Sequence, residues 1–129
     1  MGTATTQDVH GHILAGLRSA LERWYSGDPM GYADLFADDL TYFAPPTGGR
    51  LEGIEALRAS YAPIQGKVHV PRHEVSNPKL QLHGDVGVLT YHLDDYPADG
   101  SPGGRWNATE VYRRDGDEWR IIHAHWSLR

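Results

Sequence analysis

From residue 67 to residue 129 the chain is almost nothing but strand-like runs, interrupted at Asn77-Pro78, Gly84-Asp85, the stretch from Asp99 to Gly104, and Asp115-Gly116. Turn residues between alternating segments specify hairpins, so this half reads as an antiparallel meander. The first half has a different period. Thr5-Thr6-Gln7-Asp8 offers a capping-box-like start, and Val9, Ile13, Leu17, Leu21 and Trp24 then recur at helical spacing until Ser26-Gly27. Asp28 caps a second, shorter helix with Pro29 at its first position, burying Tyr32, Leu35 and Phe36. Leu40-Thr41-Tyr42-Phe43 reads as one short strand halted by Pro45-Pro46, and Gly53 to Ala62 as a third helix ended before Pro63. Helices grouped first and strands afterwards give an α+β fold, in which three N-terminal helices pack on the concave face of a curved antiparallel or mixed sheet. Such a cone leaves a pocket.

Composition narrows the function classes. With 129 residues, 40% of them hydrophobic and 22% charged, the chain is expected to form one domain over residues 1–129. A formal net charge of -5 without any Lys/Arg cluster argues against nucleic acid as a partner. The absence of cysteine excludes disulfides, a thiol nucleophile and thiolate metal sites. The start, MGTATTQDVHGH, has no basic segment followed by an apolar run, and no stretch approaches the roughly 18 apolar residues of a membrane span. A cytoplasmic protein without membrane contact is the expectation. GDEWR, SGDP and SPGG lack phosphate-loop spacing, no Gly-x-Ser-x-Gly elbow occurs, and PADGSPGG reads as a hairpin loop. No cofactor is expected.

The element order, together with SGDPMGYADLFADDLTYFAPPTGGRLEGIEALRASY, resembles the nuclear-transport-factor-2-like superfamily, which includes SnoaL-like cyclases and ketosteroid isomerases. NPKLQLHGD and RRDGDEWRIIHAHWS look most like the association (hub) domain of calcium/calmodulin-dependent protein kinase II and its free-standing relatives. The resemblance covers nearly the whole chain. It implies a cone with a pocket, and a homodimer or larger homo-oligomer formed through the sheet. It implies no single activity, because this fold carries enzymes, binding proteins and scaffolds. Where ketosteroid isomerases carry their carboxylate base the chain has Ala44, and where they carry their first-helix tyrosine it has Ala20. The acid that shares their oxyanion hole matches Glu110. Hub domains present arginines to the pocket, but two matching positions are Glu110 and Trp126, which makes an acidic ligand a poor fit.

Strand alternation puts Trp106, Ala108, Glu110 and Tyr112 on one sheet face. If that face lines the pocket, desolvation raises the Glu110 pKa and makes it a general acid; otherwise Glu110 is an exposed partner of Arg105, Arg113 or Arg114. In VGVLTYHLDDY the set Val88, Thr90, His92 and Asp94 alternates with Leu89, Tyr91, Leu93 and Asp95, and His92 offers a base within reach of Glu110 from the neighbouring strand. A structural role is the other reading of His92. Trp24, Tyr42, Tyr112 and Trp126 complete the expected pocket lining, Tyr42 as a phenolic donor or as wall packing.

His123 and His125 share a strand face, roughly 7 Å apart, a separation two metal ligands can use. A third ligand is not evident, and no metal site is assigned. Parity sets Ile122, Ala124 and Trp126 on one face and Trp119, Ile121, His123, His125 and Ser127 on the other. If Trp126 lines the pocket, as its match to a hub pocket position implies, the histidines lie on the opposite face, which the resemblance implies meets another subunit, and protonation near pH 6 then loosens that assembly. The expected function is binding of a small neutral, partly apolar molecule. If the protein is an enzyme, the chemistry is of a cofactor-free cyclase, dehydratase or isomerase type, with Glu110 as acid and His92 as base. The alternative is a non-catalytic oligomerisation module.

Overall fold

A computed structural model describes residues 5–129; residues 1–4, where the segment MGTATTQDVHGH begins, lie outside the described residues. Helix α1 (Thr6–Tyr25) starts at the expected cap: the Thr5 hydroxyl accepts from the Asp8 N–H at 3.0 Å, and the Asp8 carboxylate accepts from the Thr5 N–H at 3.2 Å. This reciprocal pair satisfies two donors that a helix start leaves open. Its buried stripe includes Val9, Ile13, Leu17, Leu21 and Tyr25. Asp28 accepts from the Met30 N–H at 3.2 Å, but helix α2 (Met30–Ala33) is only four residues long. Sheet pairing removes the rest: Leu35 O accepts from the Ile121 N–H at 2.9 Å, and strand β1 (Phe36–Phe43) begins four residues earlier than Leu40. A two-residue strand β2 (Leu51–Glu52) pairs antiparallel with β1. Helix α3 (Ile54–Tyr61) follows and tightens into a 3-10 turn over Ala62–Ile64.

Four long strands complete the chain: β3 (Arg72–His83), β4 (Val86–Tyr96), β5 (Arg105–Asp115) and β6 (Glu118–Leu128). The sheet order is β2-β1-β6-β5-β4-β3, antiparallel throughout except for the parallel β1–β6 pair. The result is a curved, open, mixed six-stranded sheet whose inner face shares one apolar core with the helices. Leu17, Leu57 and Leu89 lie in that core with no exposed surface. Truncating such a side chain to alanine costs about 2–5 kcal/mol.

Two bulges alter the expected pattern. Asn77-Pro78 does not end a strand: β3 runs through it, with the register against β4 shifting between Ser76 and Lys79. Asn77 takes a left-handed φ of 52°, which asparagine tolerates, and Pro78 loses no ladder bond because β3 is an edge strand. In β6, His123 pairs with Val111 but Ile121 pairs with Tyr112, so Ile122 is the extra residue. Ile121, expected outside, is therefore fully buried inside, whereas Ile122 is only half-buried. Beyond the bulge, alternation holds: Ala124 and Trp126 are buried, His123 is half-buried and His125 is exposed.

Candidate functional site

Strand β5 carries Trp106, Ala108, Glu110 and Tyr112 on the inner face, and this parity delivers a carboxyl group into the core. Glu110 has no exposed surface. Its neighbours across the strands are Leu89 and Ala124. A carboxyl group there needs replacements for water, and three phenols supply them. Tyr32 from α2 and Tyr91 from β4 donate to Oε2 at 2.5 and 2.7 Å, and Tyr112 donates to Oε1 at 2.8 Å. Burial pushes the Glu110 pKa above the ordinary 4.5, and the tyrosine hydrogen bonds hold back part of that rise. Tyr32, Tyr91 and Tyr112 are raised well above 10 by burial first and by the Glu110 charge second, so they remain hydrogen-bond donors.

Tyr32 also joins this cluster to open space. Its oxygen accepts from Trp126 Nε1 at 3.2 Å, and both residues line a cavity of about 590 Å³ between the helices and the sheet. That volume is in the range of small-molecule sites. Seven aromatic residues line it, among them Trp24, Tyr42, Tyr61 and Trp106. Trp24 packs edge-on against Tyr32 and Tyr61, with ring centroids 6.2 and 4.9 Å away. The Tyr61 hydroxyl donates to the Tyr42 hydroxyl at 3.0 Å, and burial pushes the Tyr42 pKa up to about 12. Accepting from Tyr61 leaves Tyr42 its own hydrogen to offer.

A second carboxylate reaches the same cavity from the other end of β4. Asp95 lies three inner-face rows from Glu110, roughly 20 Å along the strands. It accepts from the Tyr25 hydroxyl at 3.1 Å and from the Gly104 N–H at 2.9 Å. Tyr25 is in turn stacked on His73, with ring centroids 4.7 Å apart.

Of the residues singled out by the sequence, Trp24, Tyr42 and Trp126 line the cavity, and Tyr112 stands behind it, holding Glu110. Glu110 itself contacts the cavity through Tyr32 rather than directly. His92 does not join them. It pairs with Asn107 on the opposite sheet face, because on β4 the inner set is Leu89, Tyr91, Leu93 and Asp95. The inward acid therefore has no imidazole base beside it, and an arginine pair with Arg105, Arg113 or Arg114 is equally ruled out by its burial. Tyr25, Tyr32 and Tyr61 were not singled out as site residues, and neither were Tyr91 and Asp95. The signal for the last two was the apolar half of VGVLTYHLDDY: Leu89 and Leu93 had to face the core, and Tyr91 and Asp95 share their parity.

The helix-free face holds the two histidines. Thr41 Oγ1 and His123 Nδ1 are 2.8 Å apart, and Phe43 packs against both imidazoles, with centroids 5.8 and 5.4 Å away. Partial burial first, and the neighbouring His125 second, lower the His123 pKa below 6.5. Among the described residues, no group of three or more His, Cys, Asp or Glu side chains is placed to share a metal ion. Nor is any helix among them long and apolar enough to cross a membrane.

Comparison with known proteins agrees with this architecture. Residues 13–129 match the SnoaL-like domain family. Among solved structures, the chain is similar to a proposed ketosteroid isomerase from Parabacteroides distasonis, at 32% identity and a TM-score of 0.83, covering 99% of this chain and 93% of that one. It is similar to an NTF2-like protein from Pseudomonas putida, at 25% identity and a TM-score of 0.80, covering 96% and 89%. The C. elegans CaMKII association domain shares the fold, at 20% identity and a TM-score of 0.76, covering 95% and 97%. No curated protein matches the sequence. The family match, the curved open sheet and the inner-face cavity agree, and the chain belongs to the SnoaL-like domain family, with the nuclear-transport-factor-2-like fold.

Proposed function

We propose that the chain binds a small, partly apolar molecule in the cavity and acts on it by cofactor-free proton transfer, in a cyclase, dehydratase or isomerase type of reaction. The observation that carries this reading is the fully buried Glu110 carboxyl, linked to the cavity through a single tyrosine hydroxyl. Counting hydrogens shows what that hydroxyl can do. With Glu110 ionised, all three tyrosine hydrogens point at it, and Tyr32 offers the cavity only a lone pair. With Glu110 protonated, its hydrogen goes to one phenol oxygen, and that phenol's hydrogen is released. Tyr32 is the one of the three that lines the cavity, so it becomes the donor to a ligand oxygen. Burial favours this acid form.

Tyr42 supplies a second donor. Two neutral phenols donating to a ligand carbonyl or hydroxyl oxygen are the electrophilic half of enolisation, dehydration or ring closure, and the proton that leaves carbon passes to water. Glu110 is then a positioning residue and proton reserve, and Tyr32 and Tyr42 are the catalytic groups. The similarity to a proposed ketosteroid isomerase supports this class, while Ala44 and Ala20 in place of that enzyme type's base and tyrosine argue against its isomerisation mechanism. The test is calorimetric binding of 2-tetralone, an uncharged two-ring ketone, against tetralin, which lacks the oxygen. Tyr32→Phe is expected to weaken the ketone by about fivefold and leave tetralin unchanged. Failure of the ketone to bind, or indifference to Tyr32→Phe, contradicts the reading.

A second reading, assembly through the sheet, is favoured by the helix-free face, where Phe43 is 37% exposed beside His123 and His125. A large apolar ring packed against two imidazoles suits the interface of a homodimer or larger homo-oligomer. Assembly is compatible with the cavity function. Light scattering reads it: a monomer at micromolar concentration contradicts it.

A further inference from the structure

The cavity wall is uneven in charge. Asp95 is its one charged lining residue, and no Lys, Arg or His lines it among the described residues. The cations of that corner are engaged elsewhere. Arg129 and Arg105 pair with Asp94, at 2.8 and 3.7 Å, and Asp94 projects to the opposite sheet face. The Arg72 guanidinium sits over the Tyr96 ring, 4.0 Å from its centroid. His73, the cross-strand partner of Asp95, stacks its ring on Tyr25. The two partners of Asp95 are thus a neutral phenol and a backbone amide, and neither cancels its charge.

The carboxylate is also held rigidly. The hairpin between β4 and β5 closes onto it: a Cβ at Gly103 would lie 1.8 Å from Asp95 O and 2.5 Å from Oδ1, and one at Gly104 would lie 2.3 Å from Trp106 Nε1. Only glycine allows the backbone this close, and the closeness lets the Gly104 N–H reach Oδ1. A carboxylate has about four acceptor positions. Two are filled here, and the group borders a cavity walled by the aromatic rings of Tyr25 and Trp106. A fixed, uncompensated carboxylate among aromatic faces is the environment that favours an organic cation, through a charge-assisted hydrogen bond and the ring quadrupoles.

We infer that the cavity takes an amine: a ligand with an apolar body that places a protonated nitrogen on Asp95 beside Tyr25 and Trp106. The inference rests on the cavity reading above and changes the expected ligand from neutral to positively charged. The oxygen function addressed by Tyr32 and Tyr42 lies at the ligand's other end, so the substrate class is an amine that also carries a carbonyl or hydroxyl.

The experiment compares 2-aminotetralin, cationic at pH 7, with the near-isosteric 2-tetralol and the anionic tetralin-2-carboxylate, by calorimetry on wild type and Asp95→Asn. Wild type is expected to bind the amine about tenfold or more tighter than the alcohol, and the carboxylate most weakly. Asp95→Asn is expected to erase the amine's advantage while the alcohol's affinity stays within about twofold, which also reports that the variant is folded. Equal binding of amine and alcohol by wild type, a preference that survives Asp95→Asn, or a carboxylate that rivals the amine overturns the inference and leaves the cavity reading standing. If none of the three probes binds, both fall. The wild-type ratio decides even if the variant does not fold.

Discussion

Glu110 gives up all contact with water and takes three phenols in exchange. The exchange leaves a signature in stability. Unfolded, the carboxyl titrates near 4.5; folded, it titrates higher because burial disfavours its charge. Below 4.5 both states hold the proton, and the contribution of this group to stability is complete. As the pH rises from 4.5 through the folded value, the unfolded chain has shed its proton while the native one still holds it, so stability falls, by at most about 1.4 kcal/mol per pH unit. Glu110→Gln should lack this slope, and the difference between the wild-type and variant curves from denaturant melts at pH 4 to 8 isolates it. Parallel curves would mean that the carboxyl is not desolvated. The alternation of β5 grouped Glu110 with Trp106, Ala108 and Tyr112 but left open whether that face is the inner one. Tyr112 shares that face two residues on, but Tyr32 and Tyr91 were not legible as partners, because they come from α2 and β4 and only packing brings those elements to β5.

Among the elements, the meander and α1 were legible because period and caps agree over many residues. Some departures lie where one residue changes the count. The extra Ile122 exchanges the faces of Ile121 and Ile122, and no composition signal marks it. Asn77-Pro78 carries turn chemistry, yet an edge strand absorbs it as a bulge. On β4, the polar residues of the outer face suggest chemistry, while the apolar ones show which face is inner; weighting Leu89 and Leu93 over His92 and Thr90 brings Tyr91 and Asp95 to the site. At the β4–β5 hairpin, Gly103→Ala should lower stability by about 1–3 kcal/mol, since its Cβ has no space beside Asp95 and the loop must move. Thermal melting measures this, and an unchanged midpoint would show that the loop does not pack on the strand. At the other end of the chain order, Thr5→Ala should cost about 1 kcal/mol through loss of the α1 cap, in the same measurement.

For the molecule as a whole, the sheet separates two surfaces: an inner one that encloses the cavity, and an outer one that carries Phe43, His123 and His125. The depressed His123 pKa couples the outer face to pH. Above 6.5 the ring is neutral in both states, and the native contacts keep their full value. As the pH falls from 6.5 through the lower native value, protons favour the unfolded form and stability is lost; an interface that buries the ring further would add the same sign of dependence to assembly. Light scattering at pH 8 and pH 5.5 should show larger particles at pH 8, and His123→Asn should reduce the difference; a particle size independent of pH contradicts an interface role. The inner surface has its own coupling, because a ligand oxygen that accepts from Tyr32 favours the protonated form of Glu110. Carbon-13 NMR of the glutamate carboxyls, with Glu110 assigned through Glu110→Gln, measures this in one titration. The Glu110 signal should titrate above 4.5 in the free protein and higher still with 2-tetralone bound. Titration at or below 4.5, or a midpoint that the ketone does not move, would contradict a buried acid working through Tyr32.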